Sequence, residues 1–574
     1  MKVLQLHADH ISFTPVAKEI ASAEECEPRE YSYDELAVLF TAIEESDDEA
    51  VVQQAASELK KSLSNIKAEK VLIYPYAHLS QNLAEPEKAL MLITALQYAL
   101  SDQGFKVERA PFGWNKSFEI RVKGHPMAEQ AKSFPEMKEQ VDRNLNMSRP
   151  RKVVAVRQLS EEEMLARAKK SDFSGLPDND HRVLGERLDL FSFYELSPSM
   201  PFWHDKGVTL KNILIETVRK EIKKRGYIEI STAPLANVIQ WKISGHWDYY
   251  RDNMFLTKLG DEDYSLKPMN CPSTLLWYRS RRWSYRDLPL RVACFDPLFR
   301  KELSGVATGL LRVKSLQQDD AHIICTEDQV EQELFGVIDL MHWLYGIFNL
   351  SYVAKVSTMP EEHIGSEEQW EKATASLIKA LRSKGIEPTI KEKEGAFYGP
   401  KIDVDVKDSL GRYWQCATIQ LDYQLPARFK ATYTGADGAE HTPVMIHRAI
   451  YGSLERFIGV MLEHYSGRLP VWLSPIQARV IPVSLNEEGI AYCRQVHQKL
   501  NESGVRVDYD FDTTTLNFKI RKAQMEKIPY MLILGSKEIA SGKVSIRTRE
   551  GEQRQNVSLT EFVEEIREKN ANYR

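Results

Sequence analysis

Cysteine is scarce in this sequence, and its spacing argues against a disulfide framework. The chain has six cysteines among 574 residues and no Cys-x-x-Cys pair. Secreted disulfide scaffolds are dense in cysteine. We therefore exclude this class and expect a protein of a reducing compartment.

Long apolar runs and a secretory leader are also missing. The most apolar stretch, residues 334–354, is interrupted by Asp339, His342 and Asn349, which favours a buried helix and strand over a membrane span. The first residues, MKVLQLHADH, alternate like a strand and have no cationic segment ahead of an apolar one. We expect a cytoplasmic protein without a membrane segment.

The sequence also lacks an excess of positive charge. Lys and Arg number 76 against 82 Asp and Glu, a formal charge of −6, which excludes a uniformly basic nucleic-acid coat but allows local patches. Carboxylates dominate residues 21–50, which predicts a solvated acidic face, whereas residues 279–301 are rich in cations. Binding to an anionic partner must therefore depend on particular residues.

The pattern changes several times along the chain, which is long enough for about three to five domains. Residues 1–140 alternate short apolar runs with one helical stretch and predict an α/β module, and residues 141–195 predict a helical linker. Residues 196–466, with a hairpin across 409–411, predict an α+β domain on an antiparallel sheet. Residues 467–574 predict an α/β module with a mainly parallel sheet. The fold class is α+β multidomain.

One thiol and two imidazoles of the central domain are candidate metal ligands, although no local motif groups them. Cys271, His322 and His447 are far apart in the chain. Each has an ordinary explanation as a buried cysteine or a hydrogen-bonded core histidine. From the residues alone, these structural explanations are favoured.

Strand alternation places polar neighbours beside two of these candidates, because residues two apart on a strand project from the same face. Alternation groups Lys267, Met269 and Cys271 on one strand face, and Gln318, Asp320 and His322 on another. Asp320 would then accept a hydrogen bond from a substrate, or serve as a structural carboxylate.

A second set of candidates suits phosphate groups. In LFRKELSG, alternation puts Arg300 and Glu302 on one face, so that a cation lies beside a hydrogen-bond acceptor. Guanidinium stays protonated and binds oxyanions through two N–H groups. A single R-x-E string is nevertheless far more often a surface ion pair.

Several segments in fixed order carry a family resemblance. KPMNCP, LRVKSLQQDDAH and PVMIHRAIYGSLERFIG together resemble threonyl-tRNA synthetases of the archaeal type, which are class II enzymes. The resemblance implies ATP-dependent joining of L-threonine to tRNA(Thr), with Mg²⁺ accompanying ATP. It implies one Zn²⁺ per subunit on Cys271, His322 and His447, bound by the amino nitrogen and hydroxyl of threonine. A site that demands a hydroxyl rejects valine by about 10⁴–10⁵, so serine becomes the competing substrate.

The same resemblance assigns further residues of the catalytic domain. YIEISTAPLAN, with Pro234, implies a strand at a homodimer interface. The residues implied on the ATP side are Arg300, Glu302, Arg312 and Arg456. GAFYGPKIDV and WQCATIQLD match pocket segments, and the implied substrate-binding residues are Met269, Gln318, Asp320, Tyr398, Lys401, Gln415, Thr418 and Gln420. Because Gln415 and Gln420 differ in parity, a regular strand cannot aim both inward, and a bulge is expected.

The N-terminal module carries its own resemblance. HADHISF, YPYAHLS, APFGWNKSF and KGHPMAE resemble the archaeal editing domain, whose fold is like D-aminoacyl-tRNA deacylase. This implies hydrolysis of mischarged seryl-tRNA(Thr) by His78, Lys116 and Glu129. The family often has tyrosine where this chain has Asn115, so the pocket is expected to differ in detail. The alternative is an α/β domain kept for folding or RNA contact.

Residues 476–574 resemble the anticodon-binding domain of class IIa synthetases, through NFKIRKAQMEKIPYMLILGSKEIASGKVSIRTR. Glu538 and Arg547 match positions that contact anticodon bases. Lys519, Arg521 and Lys522 would contact RNA phosphates or form a solvated charged face.

Two other functions stay open at this point. One is another class IIa enzyme, such as a seryl- or prolyl-tRNA synthetase, and the zinc ligands argue against the prolyl enzyme. The other is a non-catalytic, synthetase-like tRNA-binding protein, against which the arginines and Glu302 argue.

Overall fold

The computed structural model describes residues 1–134 and 168–574, except residues 21, 81, 126, 174, 303–308 and 409–410 and the side chain of His78. The chain divides into two compact units, Met1–Val154 and Ala155–Arg574. Most of the predicted linker, residues 141–167, and the turn of the predicted hairpin, 409–410, lie outside the described residues. No helix in the described ranges combines the length and the apolar character needed to cross a membrane.

The described residues of the first unit form a mixed sheet with two α-helices. Strand β1 runs antiparallel to its neighbours, whereas the strands beyond β2 pair in parallel, in the order β4-β3-β2-β1-β5, with β6 also on β1. The described elements are β1 (Lys2–Lys18), β2 (Tyr31–Ala42), α1 (Glu49–Asn65), β3 (Lys70–Pro75), α2 (Pro86–Asp102), β4 (Lys106–Arg109), β5 (Trp114–Val122) and β6 (Glu129–Ser133).

Two expectations for this unit are corrected. Residues 21–50 do not form a solvated acidic face throughout, because β2 lies within them and residues 36–42 are buried in the sheet. A second long helix, α1, was not recognised, since polar residues occupy much of its length. Asp48 caps it by accepting from the backbone N–H of Val51, and buried residues such as Leu59 and Leu63 pack it onto the sheet.

The second unit begins with an α+β region whose main sheet has eight strands among the described residues. Its order is β18-β17-β19-β20-β23-β16-β13-β9, with antiparallel pairing from β17 to β13. The predicted antiparallel sheet is therefore confirmed. The strands are β7 (Phe191–Ser192), β8 (Phe202–Trp203), β9 (Ile228–Glu229), β10 (Leu235–Asn237), β11 (Leu256–Leu259), β12 (Glu262–Leu266), β13 (Leu290–Cys294), β14 (Pro297–Phe299), β15 (Ser315–Gln317), β16 (Asp320–Cys325), β17 (Tyr352–Ser357), β18 (Thr389–Lys391), β19 (Lys401–Lys407), β20 (Tyr413–Asp422), β21 (Tyr433–Thr434), β22 (Glu440–His441) and β23 (Val444–Ala449).

Helices pack against this sheet through one large apolar core. The most apolar stretch of the sequence, residues 334–354, lies in a helix and the start of a strand, as expected. The described helices are α3 (His181–Arg187), α4 (Asp205–Lys224), α5 (Ile239–Ser244), α6 (His246–Tyr249), α7 (Cys271–Tyr278), α8 (Val330–Ile347), α9 (Glu367–Ser383), α10 (Leu425–Arg428) and α11 (Leu454–His464).

The C-terminal part of the second unit is a five-stranded sheet with helices on both faces. Only β25, β24 and β26 are parallel, because β27 and β28 continue the sheet as antiparallel strands, so the expected mainly parallel sheet is mixed. The elements are β24 (Ala478–Pro482), α12 (Glu487–Glu502), β25 (Val507–Tyr509), α13 (Leu516–Met525), β26 (Tyr530–Leu534), α14 (Ser536–Ser541), β27 (Val544–Thr548), β28 (Gln553–Val557) and α15 (Leu559–Ala571).

Two helical glycines provide a matched test of packing. A Cβ on Gly207 in α4 would lie 1.9 Å from the carbonyl oxygen of Leu190, whereas a Cβ on Gly336 in α8 would meet nothing within 4 Å. We expect Gly207→Ala to lower the free energy of unfolding by about 1–3 kcal/mol, because the backbone must move apart. Gly336→Ala should raise it by about 0.4–1 kcal/mol, because alanine restricts the unfolded chain. Urea denaturation measures both, and equal midpoints would contradict the close contact at Gly207.

Candidate active site

Two adjoining cavities in the α+β region form one cleft. Their volumes are about 410 and 390 Å³. Because the same side chains line both, a ligand can extend from one cavity into the other. The shared residues are Tyr250, Arg300, Gln318, Gln415, Thr418 and Ala449.

The thiol and the two imidazoles converge at one end of this cleft. One ligand atom from each of Cys271, His322 and His447 lies within 4.8 Å of the others, and all three residues are buried. His322 on β16 and His447 on β23 are direct cross-strand partners. Cys271 is the first residue of α7. The fold thus joins residues that are distant in the sequence.

The expected strand face of Lys267, Met269 and Cys271 is wrong. Strand β12 ends at Leu266, and α7 begins at Cys271 with a proline in its first turn. The prolines that flank Met269 to Cys271 end the strand and favour a helix start. Lys267 Nζ donates to Asp296 Oδ2 at 2.6 Å, outside the cleft lining, whereas Met269 still lines the cleft.

The cluster fits a metal ion. His322 Nδ1 is buried and has no hydrogen-bond partner among the described residues. Such an orphaned nitrogen is costly unless a ligand binds it. Burial lowers the pKa of His322 to about 4, which keeps the ring in the neutral form that binds metals. His447 Nε2 lies 2.9 Å from Asp422 Oδ2, a contact that fixes the orientation of the ring.

Two consecutive aspartates beside the cluster have different roles. Asp320 and Gln318 line the cleft with His322, as alternation predicted. Asp320 Oδ2 accepts a hydrogen bond from Asn270 Nδ2 at 2.9 Å, a partner that sequence reasoning missed. The carboxylate of Asp319 instead accepts from the backbone N–H groups of residues 450 and 451 and from Arg448. Asp319 therefore supports the structure, and Asp320 is available to a ligand.

A polar wall of the cleft is organised by Asp403, which sequence reasoning also missed. Gln415 Nε2 donates to Asp403 Oδ1 at 2.6 Å, and Lys401 Nζ lies 2.6 Å from Asp403 Oδ2. Thr418 Oγ1 donates to Asp403 Oδ1 at 3.3 Å. The hydroxyl of Tyr398 donates to Gln420 Oε1 at 2.8 Å. All of the pocket residues expected on β19 and β20 therefore belong to this cleft.

The bulge expected between the two glutamines is confirmed. Val404 pairs with Ala417 and Asp405 pairs with Gln415, so Cys416 is the extra residue of β20. A single extra residue reverses the side to which the following residues point. Gln415 and Gln420 can therefore both line the cleft despite their opposite parity.

The other end of the cleft concentrates positive charge. Arg456 donates from Nε to the carbonyl of Leu311 at 2.8 Å and from Nη1 to the carbonyl of Gln415 at 2.9 Å. Burial, followed by repulsion from Arg312 and Arg300, lowers the pKa of the Arg456 guanidinium. Glu302 pairs with Arg312 at 3.1 Å. All four residues expected on the ATP side line this cavity, which suits a polyphosphate.

The first unit contains a separate pocket of about 330 Å³, lined by Lys116, Asn115 and aromatic residues such as Tyr74. Lys116 Nζ donates to the carbonyls of Pro111 and Trp114 at 2.9 and 3.0 Å. Burial lowers the pKa of Lys116 to about 8. Asn115 donates to Glu19 at the same pocket. The backbone of residue 78 belongs to a 3₁₀ turn, but the His78 side chain lies outside the described part of the chain.

The structure does not bring Glu129 to this pocket within one chain. Glu129 pairs with Leu6 of β1, whereas Lys116 pairs with Pro15 of the same strand. At roughly 3.3 Å per residue, these positions are about 30 Å apart along β1. Within one chain, Glu129 therefore lies away from the pocket that contains Lys116, and its role in editing stays a prediction.

Of the two residues expected at the anticodon, Glu538 belongs to α14 and contacts β27, the strand that carries Arg547. Glu538 accepts from the backbone N–H of Gly535 at 2.9 Å and from Ser545 Oγ at 2.7 Å. Arg547 lies two residues beyond Ser545 on β27, so both project from one face. Arg547 Nε is buried without a partner among the described residues.

Known relatives are similar to about two thirds of this chain. Threonine–tRNA ligases from Caldanaerobacter subterraneus and Thermotoga petrophila are 50% and 51% identical over 387 and 389 residues, which are 67% and 68% of this chain. The chain matches only 60% of the length of each of these relatives. The RNA binding domain of threonyl-tRNA synthetase from Cryptosporidium parvum superposes with a TM-score of 0.66 at 41% identity, covering 68% of this chain and 98% of that one.

Three family models match successive regions. Residues 1–134 match the archaea-specific editing domain of threonyl-tRNA synthetase, 255–465 the class II core domain of tRNA synthetases for G, H, P, S and T, and 477–569 an anticodon binding domain. Fold and cleft together define a class II aminoacyl-tRNA synthetase. The editing domain and the relatives narrow this class further. The chain belongs to the threonyl-tRNA synthetase family, in its archaeal type.

The lysine of the N-terminal pocket gives a prediction on pH. Because the pKa of Lys116 is lowered to about 8, its amine should acylate at a rate that rises through about pH 8. Ion pairs with Asp9 and Glu35 raise the pKa of Lys123, which serves as the control in the same domain. Competitive labelling with acetic anhydride, followed by mass spectrometry, measures both profiles. A Lys116 profile that follows Lys123 would contradict the burial of its amine.

Proposed function

We propose that this chain activates L-threonine with ATP, transfers it to tRNA(Thr) and hydrolyses seryl-tRNA(Thr) that forms in error. The observation that carries the proposal is the cleft itself. A buried thiol and two imidazoles occupy one end, and Arg300, Arg312 and Arg456 occupy the other. This arrangement suits an amino acid and a nucleotide bound side by side.

Cys271, His322 and His447 would hold one Zn²⁺ per subunit. When bound there, Zn²⁺ supplies a Lewis acid with an open position that accepts the amino group and the hydroxyl of threonine. Asp320 accepts a hydrogen bond from the amino group or the hydroxyl. Met269, Tyr398 and the polar wall around Asp403 complete the pocket, with Gln318, Lys401, Gln415, Thr418 and Gln420 as further substrate contacts.

The arginines of the cleft neutralise the substrate charges. Adenylation brings the threonine carboxylate against the α-phosphate of ATP, and these two anions repel. Arg300 contacts the α-phosphate, and Arg312 and Arg456 contact the terminal phosphates. Glu302 accepts from the amino group of adenine. Mg²⁺ enters with ATP as part of the substrate.

We assign the remaining regions by the same reasoning. Residues 1–140 form the editing domain, 141–195 the linker, 196–466 the catalytic domain and 467–574 the anticodon-binding domain, where Glu538 and Arg547 contact bases. The edge strand β9, with its exposed Ile228, supports a homodimer, since an exposed edge favours pairing with another chain. We place the enzyme in the cytoplasm.

Lys116 has a chemical role suited to editing. In its neutral form, the amine donates both N–H groups to the carbonyls of Pro111 and Trp114, and its lone pair remains free to accept a hydrogen bond from water. A pKa lowered to about 8 makes this form accessible near neutral pH. Lys116 therefore orients the attacking water, and His78 belongs to the same site.

The synthetic activity is tested by pyrophosphate exchange on protein of measured zinc content. We expect exchange with threonine, weaker exchange with serine and almost none with valine. Cys271→Ala should lose the bound zinc and reduce threonine-dependent exchange by about 10³-fold or more, because the Lewis acid is removed. Cys493→Ala, which removes a buried thiol of helix α12, is the matched control and should keep both the zinc and the exchange activity.

Three outcomes would contradict this assignment. They are full exchange in metal-free protein, valine activated as readily as threonine, and tRNA binding without any exchange. The last result would support the non-catalytic tRNA-binding alternative, and exchange specific for serine or proline would indicate another class IIa enzyme.

The editing activity is tested with preformed seryl-tRNA(Thr). Lys116→Met should slow its deacylation by about 10–100-fold, the order expected when a group that positions a reactant is lost. Threonine-dependent exchange should stay unchanged, because the catalytic cleft is built by other residues. Lys61→Met, an exposed lysine of α1 outside the pocket lining, is the control. Deacylation that is equally fast in both variants would remove Lys116 from the site.

A further inference from the structure

A second cluster of potential ligand atoms lies outside the catalytic cleft lining. Asp180, His181 and Glu463 bring their side chains within 4.8 Å of one another. His181 is 1% exposed, and both of its ring nitrogens have partners. Nδ1 lies 2.8 Å from Glu463 Oε1, and Nε2 lies 3.0 Å from the backbone nitrogen of Leu310. Hydrogen bonds within the protein, not a metal, account for this histidine.

These partners define the tautomer of the ring. A backbone N–H can only donate, so His181 Nε2 must accept from Leu310. The ring proton is then on Nδ1 and is donated to Glu463. His181 thereby joins helix α11, which carries Glu463, to the 3₁₀ turn Gly309–Leu311.

The same turn also contacts two arginines at the end of the cleft that is proposed to bind the phosphates of ATP. The carbonyl of Leu311 accepts from Arg456 Nε at 2.8 Å, and the next residue, Arg312, pairs with Glu302. Arg456 and Glu463 both belong to α11. Helix α11 is therefore connected to the turn in two ways. Arg456 donates directly to the Leu311 carbonyl, and Glu463 is linked to Leu310 through the His181 ring.

A glycine at the start of the turn allows this approach. Gly309 has a φ of +52°, and a Cβ at this position would lie 2.3 Å from His181 Nε2. A larger residue would push the turn away from the imidazole. The close contact between the turn and the ring is therefore a specific feature of the structure.

We propose that His181 is a positioning residue for ATP. By holding the turn 309–311 against α11, it fixes the Leu311 carbonyl that orients Arg456, and it fixes the backbone that presents Arg312. The proposal rests on the proposed function in naming ATP as the ligand of these arginines. His181 itself does not touch the nucleotide.

Two isosteric substitutions separate the two hydrogen bonds of the ring. The amide of glutamine reaches the position of Nε2 and can accept from Leu310, whereas the shorter asparagine reaches the position of Nδ1 and can donate to Glu463. Each variant loses one buried hydrogen bond, so their thermal stabilities should be similar. Only His181→Asn releases the turn, because in His181→Gln the backbone N–H of residue 181 still donates to Glu463 Oε1, at 3.2 Å in the wild type, while the new amide holds Leu310.

Titration calorimetry with the ATP analogue AMPPNP measures the consequence directly. We expect His181→Asn to weaken binding about tenfold, the order expected for one lost hydrogen bond that orients the site, and His181→Gln to stay close to the wild type. In exchange assays, the KM for ATP should rise in His181→Asn while the KM for threonine stays constant, because the turn contacts the phosphate end alone.

A second pair of variants tests the turn from its other side. Gly309→Ala should reproduce the AMPPNP defect, because the new methyl group displaces the turn from His181. Gly260→Ala is the matched control, since Gly260 has a φ of +63° but no atom within 4 Å of a Cβ. Both substitutions carry the same backbone strain, so the difference between them reports the contact with His181.

The outcomes separate this proposal from the proposed function. Equal AMPPNP affinities for His181→Asn and His181→Gln, or equal increases in both KM values, would overturn the positioning role. Tight AMPPNP binding without threonine-dependent exchange in the wild type would overturn the proposed function. The AMPPNP affinities of His181→Asn and His181→Gln would still test the positioning role of His181. Gly309→Ala with wild-type affinity would also contradict the proposal.

Discussion

The antiparallel register between β16 and β23 is the constraint on which the catalytic cleft depends. It places His322 opposite His447, and a shift of one residue would carry an imidazole to the other face of the sheet. Asp319 holds this register, because its buried carboxylate accepts from the backbone just beyond β23 and from Arg448. The carboxylate that fixes the sheet and the carboxylate that faces the ligand are therefore neighbours in the chain, and strand alternation separates their roles.

The two ends of the cleft solve different electrostatic problems. At the end of the cleft that contains Cys271, burial keeps His322 neutral and Asp422 fixes the ring of His447. The ring nitrogens are therefore in a form and an orientation that can bind a cation. At the other end, the guanidinium of Arg456 is held by two backbone carbonyls, which orient it without neutralising its charge. Such fixed charges stabilise a polyphosphate at little cost in reorganisation.

Sequence reasoning succeeded where a rule acts within one strand and failed where distant segments meet. The opposite parity of Gln415 and Gln420 indicated a bulge between them, and the structure locates it at Cys416. Alternation failed for Cys271, because Pro268 and Pro272, the two prolines within KPMNCP, replace the strand with a helix start. No local pattern could place Asp403, Asp422 or His181, since their partners come from other elements. Glu129 was assigned by resemblance alone. A match in sequence does not show how far Glu129 lies from Lys116 within one chain.

Under the proposed function, a cleft that selects threonine by its hydroxyl explains why the chain would carry a second pocket. Serine keeps the hydroxyl and lacks one methyl group, a difference worth only roughly 10–200-fold. The pocket around Lys116 uses different chemistry from the cleft, since it relies on aromatic walls and a lysine whose amine is partly neutral near pH 8. A catalyst that distinguishes the smaller product after it has formed need not resemble the site that bound the amino acid.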